Sequence, residues 1–244
     1  MRELLTMWSN KRMRNLVLFT ALIYAALQLT FKGFTLNPAN VVPILTGLFF
    51  GPAGAFGVAL GSLMGDVFGT LGPSSIFSCL GNFLMAYIPY KLWNKLGIVG
   101  EREPGFRKKD REKNLLNFIP LALVSSLASV LVMAWGLDLL GLAEYASADV
   151  GLALGNLGMS LVLGPLLFLI LGPVVWRRKA LWTQLMDSDA DSPHALLGGR
   201  LMAAASVVGY FAAMAASRTG LERLVPFIGA VALVLILLGG WLER

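Results

Sequence analysis

The chain has 244 residues, 57% of them hydrophobic and only 14% charged, with a mean hydropathy of +0.72. A soluble domain carries roughly 25% charged residues, so a water-soluble enzyme or binding module is excluded and an all-α integral membrane protein is expected. The formal charge of +6 does not point to nucleic acid, because the basic residues fall between apolar stretches instead of gathering on one polar face.

A hydrocarbon core about 30 Å thick takes roughly 20 helical residues to cross. Apolar stretches at 15–31, 38–50, 53–71, 74–93, 115–140, 150–176, 201–218 and 225–242 predict eight hydrophobic helices. Residues 15–31 run on without a small-residue cleavage site and more spans follow, so this helix is expected to be retained. It carries Ala21 and Ala25, with Ala26 beside them, a stripe small enough either to pack inward or to receive a partner. The connection after it, FKGFTLNPANVVP (31–43), is rich in turn formers and amides, and Asn37-Pro38 favours a turn followed by a helix start.

The next stretch, GLFFGPAGAFGVALGSLMGDVFG (47–69), is apolar enough for lipid yet interrupted. Gly51-Pro52-Ala53-Gly54 is a helix stop followed by a start, which predicts two short helices joined by a tight turn. Ala53, Gly57, Gly61, Gly65 and Gly69 recur every fourth residue, lining one face of the second helix with almost no side chain. Asp66 lies one turn from the far end of that helix. An ionisable group inside a membrane marks a functional hypothesis, and a capping or bonding role toward Ser74 or Ser75 fits it equally.

The fourth and sixth helices share a phrase, Leu80-Gly81-Asn82-Phe83-Leu84-Met85 and Leu154-Gly155-Asn156-Leu157-Gly158-Met159, followed by Pro89 and Pro165 respectively. A carboxamide at membrane depth must find a partner or face a wet cavity, so Asn82 and Asn156 are either interhelical hydrogen bonds or ligand contacts. Asn37 and Asn40 come from the first connection, and Trp135, Glu144 and Tyr145 from the opposite edge. The candidate substrate-binding set is therefore Asn37, Asn40, Asp66, Asn82, Trp135, Tyr145 and Asn156. Trp135 suits an interfacial aromatic belt equally well.

Charge placement sets the topology. Arg2, Lys11, Arg12 and Arg14 precede the first span. Lys91, Lys95, Arg102, Arg107, Lys108, Lys109, Arg111 and Lys113 lie in or beside one long loop, and Arg177-Arg178-Lys179 follow the sixth span. The positive-inside rule places all three regions, and so the N-terminus, in the cytoplasm. Alternation then requires residues 38–93 to cross three times, with the Gly51-Pro52 turn inside and Asp66, Asn82 and Asn156 in the outer half. The expected organisation is a six-helix unit (1–180), a polar linker (181–200) and a two-helix extension (201–244). The long loop also reads as an anionic-lipid patch. Asp187, Asp189 and Asp191 loosely resemble a calcium loop but lack its later ligands, so a solvated linker is expected there.

Chemistry is sparse. One cysteine, Cys79, cannot form an internal disulfide, and one histidine, His194, cannot build a multi-histidine metal site. There is no serine–base arrangement, no phosphate-binding glycine loop ending in Lys-Ser or Lys-Thr, and no paired carboxylates. An enzyme is not expected, and any solute movement draws on a gradient or on another subunit.

A first helix with small residues, an outer loop, the hairpin PILTGLFFGPAGAFGVALGSLMGD and six spans resemble, over residues 15–178, the substrate-binding S components of energy-coupling factor (ECF) transporters. The resemblance implies a prokaryotic plasma-membrane subunit that binds a vitamin or similar organic micronutrient in an outer-half cavity, with 31–43 as its lid loop. It implies no cofactor in this chain. Docking would run through small residues of the first helix, here Ala21 and Ala25, onto a transmembrane coupling protein carrying two ATPases that hydrolyse ATP. Toppling of the subunit would then expose the ligand to the cytoplasm. Residues 201–242 fall outside the usual six-helix unit, and the histidine-rich start of nickel or cobalt versions is missing, which leaves the small organic ligand open. Two alternatives stand beside this reading. One is a gradient-driven small-solute carrier, suggested by the repeated phrase although no inverted repeat is evident; the other is a non-transporting membrane assembly module.

Overall fold

The computed structural model describes residues 2–34, 36–69, 71–93, 95–96, 110–186 and 193–243. Arg102, Arg107, Lys108 and Lys109 of the long loop, and Asp187, Asp189 and Asp191 of the expected linker, lie outside the described residues. Among the described residues all regular structure is helical: α1 Arg2–Ser9, α2 Lys11–Thr30, α3 Val42–Phe50, α4 Pro52–Val67, α5 Ser74–Leu92, α6 Arg111–Leu139, α7 Tyr145–Arg177, α8 Trp182–Leu185, α9 Ala195–Arg218 and α10 Val225–Leu242.

Local chemistry fixes these boundaries. Asn10 starts α2, its side-chain oxygen accepting the Arg12 backbone N–H at 2.9 Å. Asn37 does the same for a short 3-10 turn, Pro38–Val41, accepting from the Ala39 N–H at 2.8 Å. Between α3 and α4 the chain reverses at Gly51, whose φ of 57° and ψ of −128° suit a residue without a side chain. A Cβ there would also meet the Trp182 ring at 2.8 Å. Pro52 then opens α4 at a position where no backbone donor is needed. The interrupted stretch is thus a helical hairpin, closed so tightly that a Cβ on Gly54 would collide with the Thr46 carbonyl.

Among the described residues five helical segments are long and apolar enough to cross a membrane by length and composition: α2, α6, α7 continuing into α8, α9, and α10 with the turn before it. With its 3-10 turn, α3 runs Pro38–Phe50, about 20 Å at 1.5 Å per residue, and so falls short of a hydrocarbon core. It need not match the lipid, because Ile44, Leu45, Leu48, Phe49 and Phe50 are buried within the bundle.

Residue pairing shows the direction of each rod. Positions 57, 61 and 65 of α4 face Val17, Ala21 and Gln28 of α2 in the same order, so these helices run parallel. Ser62 faces Asn82, and Asn117 of α6 donates to the Trp93 carbonyl beyond α5, so α4, α5 and α6 alternate. Ser129 of α6 faces Asn156 of α7. The Gly51 turn therefore lies at the end of the bundle that holds Lys11, Lys95 and Arg178.

The last two helices are part of the packed body. Gly198 meets Gly239 and Gly209 meets Ala232, which makes α9 and α10 an antiparallel pair. Leu131 of α6, Tyr145 of α7, Tyr210 and Ala213 of α9 and Val225 of α10 form a second apolar core beside the main one. Helix α9 begins at Ala195, inside the segment expected to be a linker, and α8 lies in that segment too. Arg218 binds both carboxylate oxygens of the buried Asp149 at 2.9 and 3.1 Å, and Lys95 pairs with Glu243 at 3.1 Å at the other end.

Candidate functional site

At the end of the bundle opposite the basic cluster a cavity of about 660 Å³ opens between α2, α4, α5, α6, α7 and the loop before α3. Its polar lining comes from Gln28, Lys32, Asn37, Asn40, Ser62, Asp66, Ser78, Ser147, Asn82 and Asn156; Phe34, Met133, Leu137 and Leu152 supply apolar surface. The size suits a small organic molecule.

A chain of side-chain hydrogen bonds runs along one wall. Ser62 accepts from Asn82 Nδ2 at 3.1 Å, and Asn82 Oδ1 accepts from the Tyr24 hydroxyl at 2.8 Å. Gln28 Nε2 donates to the Tyr24 oxygen at 2.7 Å, and Gln28 Oε1 accepts from Asn37 Nδ2 at 3.3 Å. Asn37 also donates to the Phe31 carbonyl at 3.2 Å. Four segments are locked by this relay: α4, α5, α2 and the 31–43 loop. In so apolar a surrounding each group needs its partner, and the amide planes are thereby fixed.

The facing wall is less constrained. Asn156 Nδ2 donates to Ser129 Oγ at 3.3 Å, and the residue lines the cavity. Ser160, one turn on, donates to the Asn40 backbone carbonyl at 3.5 Å, tying α7 to the same loop. Lys32 and the half-buried Asp66 bring opposite charges to the rim. Such a site can read a molecule with hydrogen-bonding edges through amides held at set angles, and Phe34, two-thirds exposed, offers a flat apolar cover. Among the described residues no cluster of three His, Cys, Asp or Glu side chains is placed to hold a metal ion.

Of the residues singled out in the sequence, Asn37, Asn40, Asp66, Asn82 and Asn156 line this cavity. Trp135 and Tyr145 do not. The Trp135 ring packs edge-on against Phe77 at 5.5 Å and fills the space opposite Gly229 of α10. Tyr145 is 1% exposed in the second core, with Tyr210 and Ala213. Both aromatics are taken up by α9 and α10, which cover a flank that a six-helix bundle would leave open.

Ala21 and Ala25, expected as a partner surface or an internal contact, face into the bundle. They are buried, and the Ala21 carbonyl lies where a Cβ on Gly61 would come within 2.6 Å. The glycine stripe of α4 admits the α2 backbone, so the small residues of α2 serve internal packing. The face α2 presents outward carries Leu18, Phe19, Leu22 and Ile23. Tyr24, Gln28 and Ser62 were not singled out in the sequence, while Lys32 and Phe34 fall within the 31–43 stretch expected as the lid loop. A signal existed for the first two, since a tyrosine and a glutamine four apart share the inward face of an otherwise apolar helix.

A family model described as QueT transporter matches residues 16–173. No curated protein and no solved structure matches. The matched span runs from the first turns of α2 to near the end of α7, takes in every residue lining the cavity, and stops short of α9 and α10. An all-α membrane bundle with one amide-lined cavity, matched over most of its length by this family, makes the chain a member of the QueT transporter family, a family of ECF transporter S components.

Proposed function

We propose that this membrane transporter subunit captures a queuosine precursor from outside the cell and delivers it through a transmembrane coupling protein driven by two ATPases. The substrate follows from the family's association with queuosine precursors and from the kind of lining the cavity has. A planar base with hydrogen-bonding edges matches carboxamides presented from α5, α7 and the 31–43 loop, with Phe34 closing over its face. The single observation that carries the reading is the pairing of an oriented amide cavity with a chain that brings no nucleotide-binding loop of its own.

The arrangement of charge supports the orientation. Basic residues at the start of α2, after α5 and at the end of α7 share one end of the bundle, and the positive-inside rule assigns that end to the cytoplasm of a prokaryotic plasma membrane. The cavity then faces outward, with the N-terminus inside. Asn156, Asn40 and Asp66 contact the ligand; Asn82 and Asn37 hold the wall on which it rests. No cofactor is required within the chain, and ATP is consumed by the partners.

Purified protein is expected to bind a queuosine precursor with one-to-one stoichiometry, and cells are expected to take it up only when coupling protein and ATPases are co-expressed. Uptake by the lone chain in ATP-depleted vesicles would instead favour a gradient-driven carrier.

A further inference from the structure

A second concavity, of about 500 Å³, lies at the basic end between α2 and α7. It is independent of the substrate cavity, which opens at the other end. Its walls are apolar, with Phe19 and Val174 half exposed toward the lipid and Phe50 buried at its base. Its rim is cationic: Arg12 from α2, and Arg178 and Lys179 from the turn that ends α7. Among the described residues none that lines it is acidic.

The turn that ends α7 has an uncommon backbone. Ala180 N–H donates to the Val175 carbonyl at 3.2 Å and Lys179 N–H to Trp176 at 3.0 Å, the pairing in which the left-handed position is usually glycine. Here it is Lys179, at a φ of 51°, alone among the described non-glycine residues. Side chains kept in a sparsely populated backbone state cluster at ligand-binding and other functional positions. Lys179 sets a third cation beside Arg12 and Arg178. From Arg12 to Phe19 is seven residues, about 10 Å along the helix, so the apolar wall extends from the charges toward the hydrocarbon.

We propose that this groove is a binding site for an anionic phospholipid, the phosphate held by Arg12, Arg178 and Lys179 and an acyl chain laid between α2 and α7 over Phe19 and Val174. Basic recesses between helices on the positively charged side suit such headgroups, whereas a zwitterionic lipid gains little from three cations.

The test uses full-length protein equilibrated with equal amounts of phosphatidylglycerol and phosphatidylcholine and examined by native mass spectrometry. Each cation near an anionic surface contributes about fivefold, so removing three is expected to lower the phosphatidylglycerol preference about a hundredfold. Arg12→Gln/Arg178→Gln/Lys179→Gln should lose the preference, and Lys113→Gln/Arg200→Gln/Arg223→Gln, with the same change in charge, should keep it. If the first variant does not fold, Arg12→Gln/Lys179→Gly, which removes two cations, is expected to lower the preference about twenty-five-fold, and its glycine relaxes the turn. Equal retention of the two lipids by the unaltered protein, or undiminished preference in the groove variants, overturns the proposal. So does a groove variant that keeps the lipid preference but no longer co-purifies with the coupling protein, which would make the groove a protein dock.

Discussion

Asn82 and Asn156 occupy matching places in a repeated phrase, yet their surroundings differ. Asn82 uses its oxygen on Tyr24 and its nitrogen on Ser62, so Asn82→Ala strands two buried hydroxyls, each with a desolvation cost of about 1–3 kcal/mol. Asn156 has one bond, to Ser129. We expect Asn82→Ala to lower the unfolding temperature in detergent and to weaken ligand binding, while Asn156→Ala weakens binding roughly tenfold, the worth of one hydrogen bond, with little loss of stability. Thermal unfolding and ligand titration on the same preparations separate the two effects; equal destabilisation by both would remove the distinction. From sequence both asparagines carry the same two readings, because a repeated phrase says nothing about what lies opposite it.

Helix packing turns on the α4 glycines, and they are not equivalent. A Cβ on Gly61 would come 2.6 Å from the Ala21 carbonyl, while one on Gly65 would meet only Gln28 Cβ at 3.6 Å. Gly61→Val is expected to cost about 1–3 kcal/mol or more through overpacking, and Gly65→Ala to be neutral or slightly stabilising, since alanine is the better helix former by about 1 kcal/mol. Thermal scans of the two variants check this, and a stable Gly61→Val would mean that α2 is not seated on the stripe. The helices themselves were legible: Gly51-Pro52 announced the hairpin, and the periodic glycines announced a close neighbour. Which neighbour was not. Small residues on α2 fit a partner or an internal contact equally until the α4 stripe is seen to be occupied by Ala21 and its turn. The shortness of α3 and α4 was legible at Gly51-Pro52 as well, and α3 can fall short of the bilayer because its apolar residues are buried within the bundle.

For the molecule as a whole, the two C-terminal helices change what the bundle can present. They bury Trp135 and Tyr145, both expected at the cavity from their position in the chain, since nothing in the sequence of α6 or α7 records which flank a later helix will cover. Their attachment rests in part on Arg218 and Asp149, a pair with a fully buried carboxylate and a guanidinium about a third exposed. Removing one partner of a buried pair costs about 3–5 kcal/mol, and the exposure of Arg218 places Arg218→Ala toward the lower figure. The double variant Arg218→Ala/Asp149→Asn is expected to recover part of that loss, because no unpaired charge remains; a double variant as unstable as the sum of the singles would show that the pair is not coupled. The most direct measurement on the whole arrangement combines side and occupancy. With Cys79→Ser as background, Ser147→Cys places a thiol at an exposed position on the cavity lining. In intact cells a membrane-impermeant maleimide should label it, and a queuosine precursor should protect it. Labelling only after the membrane is opened, or labelling that the precursor leaves unchanged, would contradict an outward-facing cavity that holds this ligand.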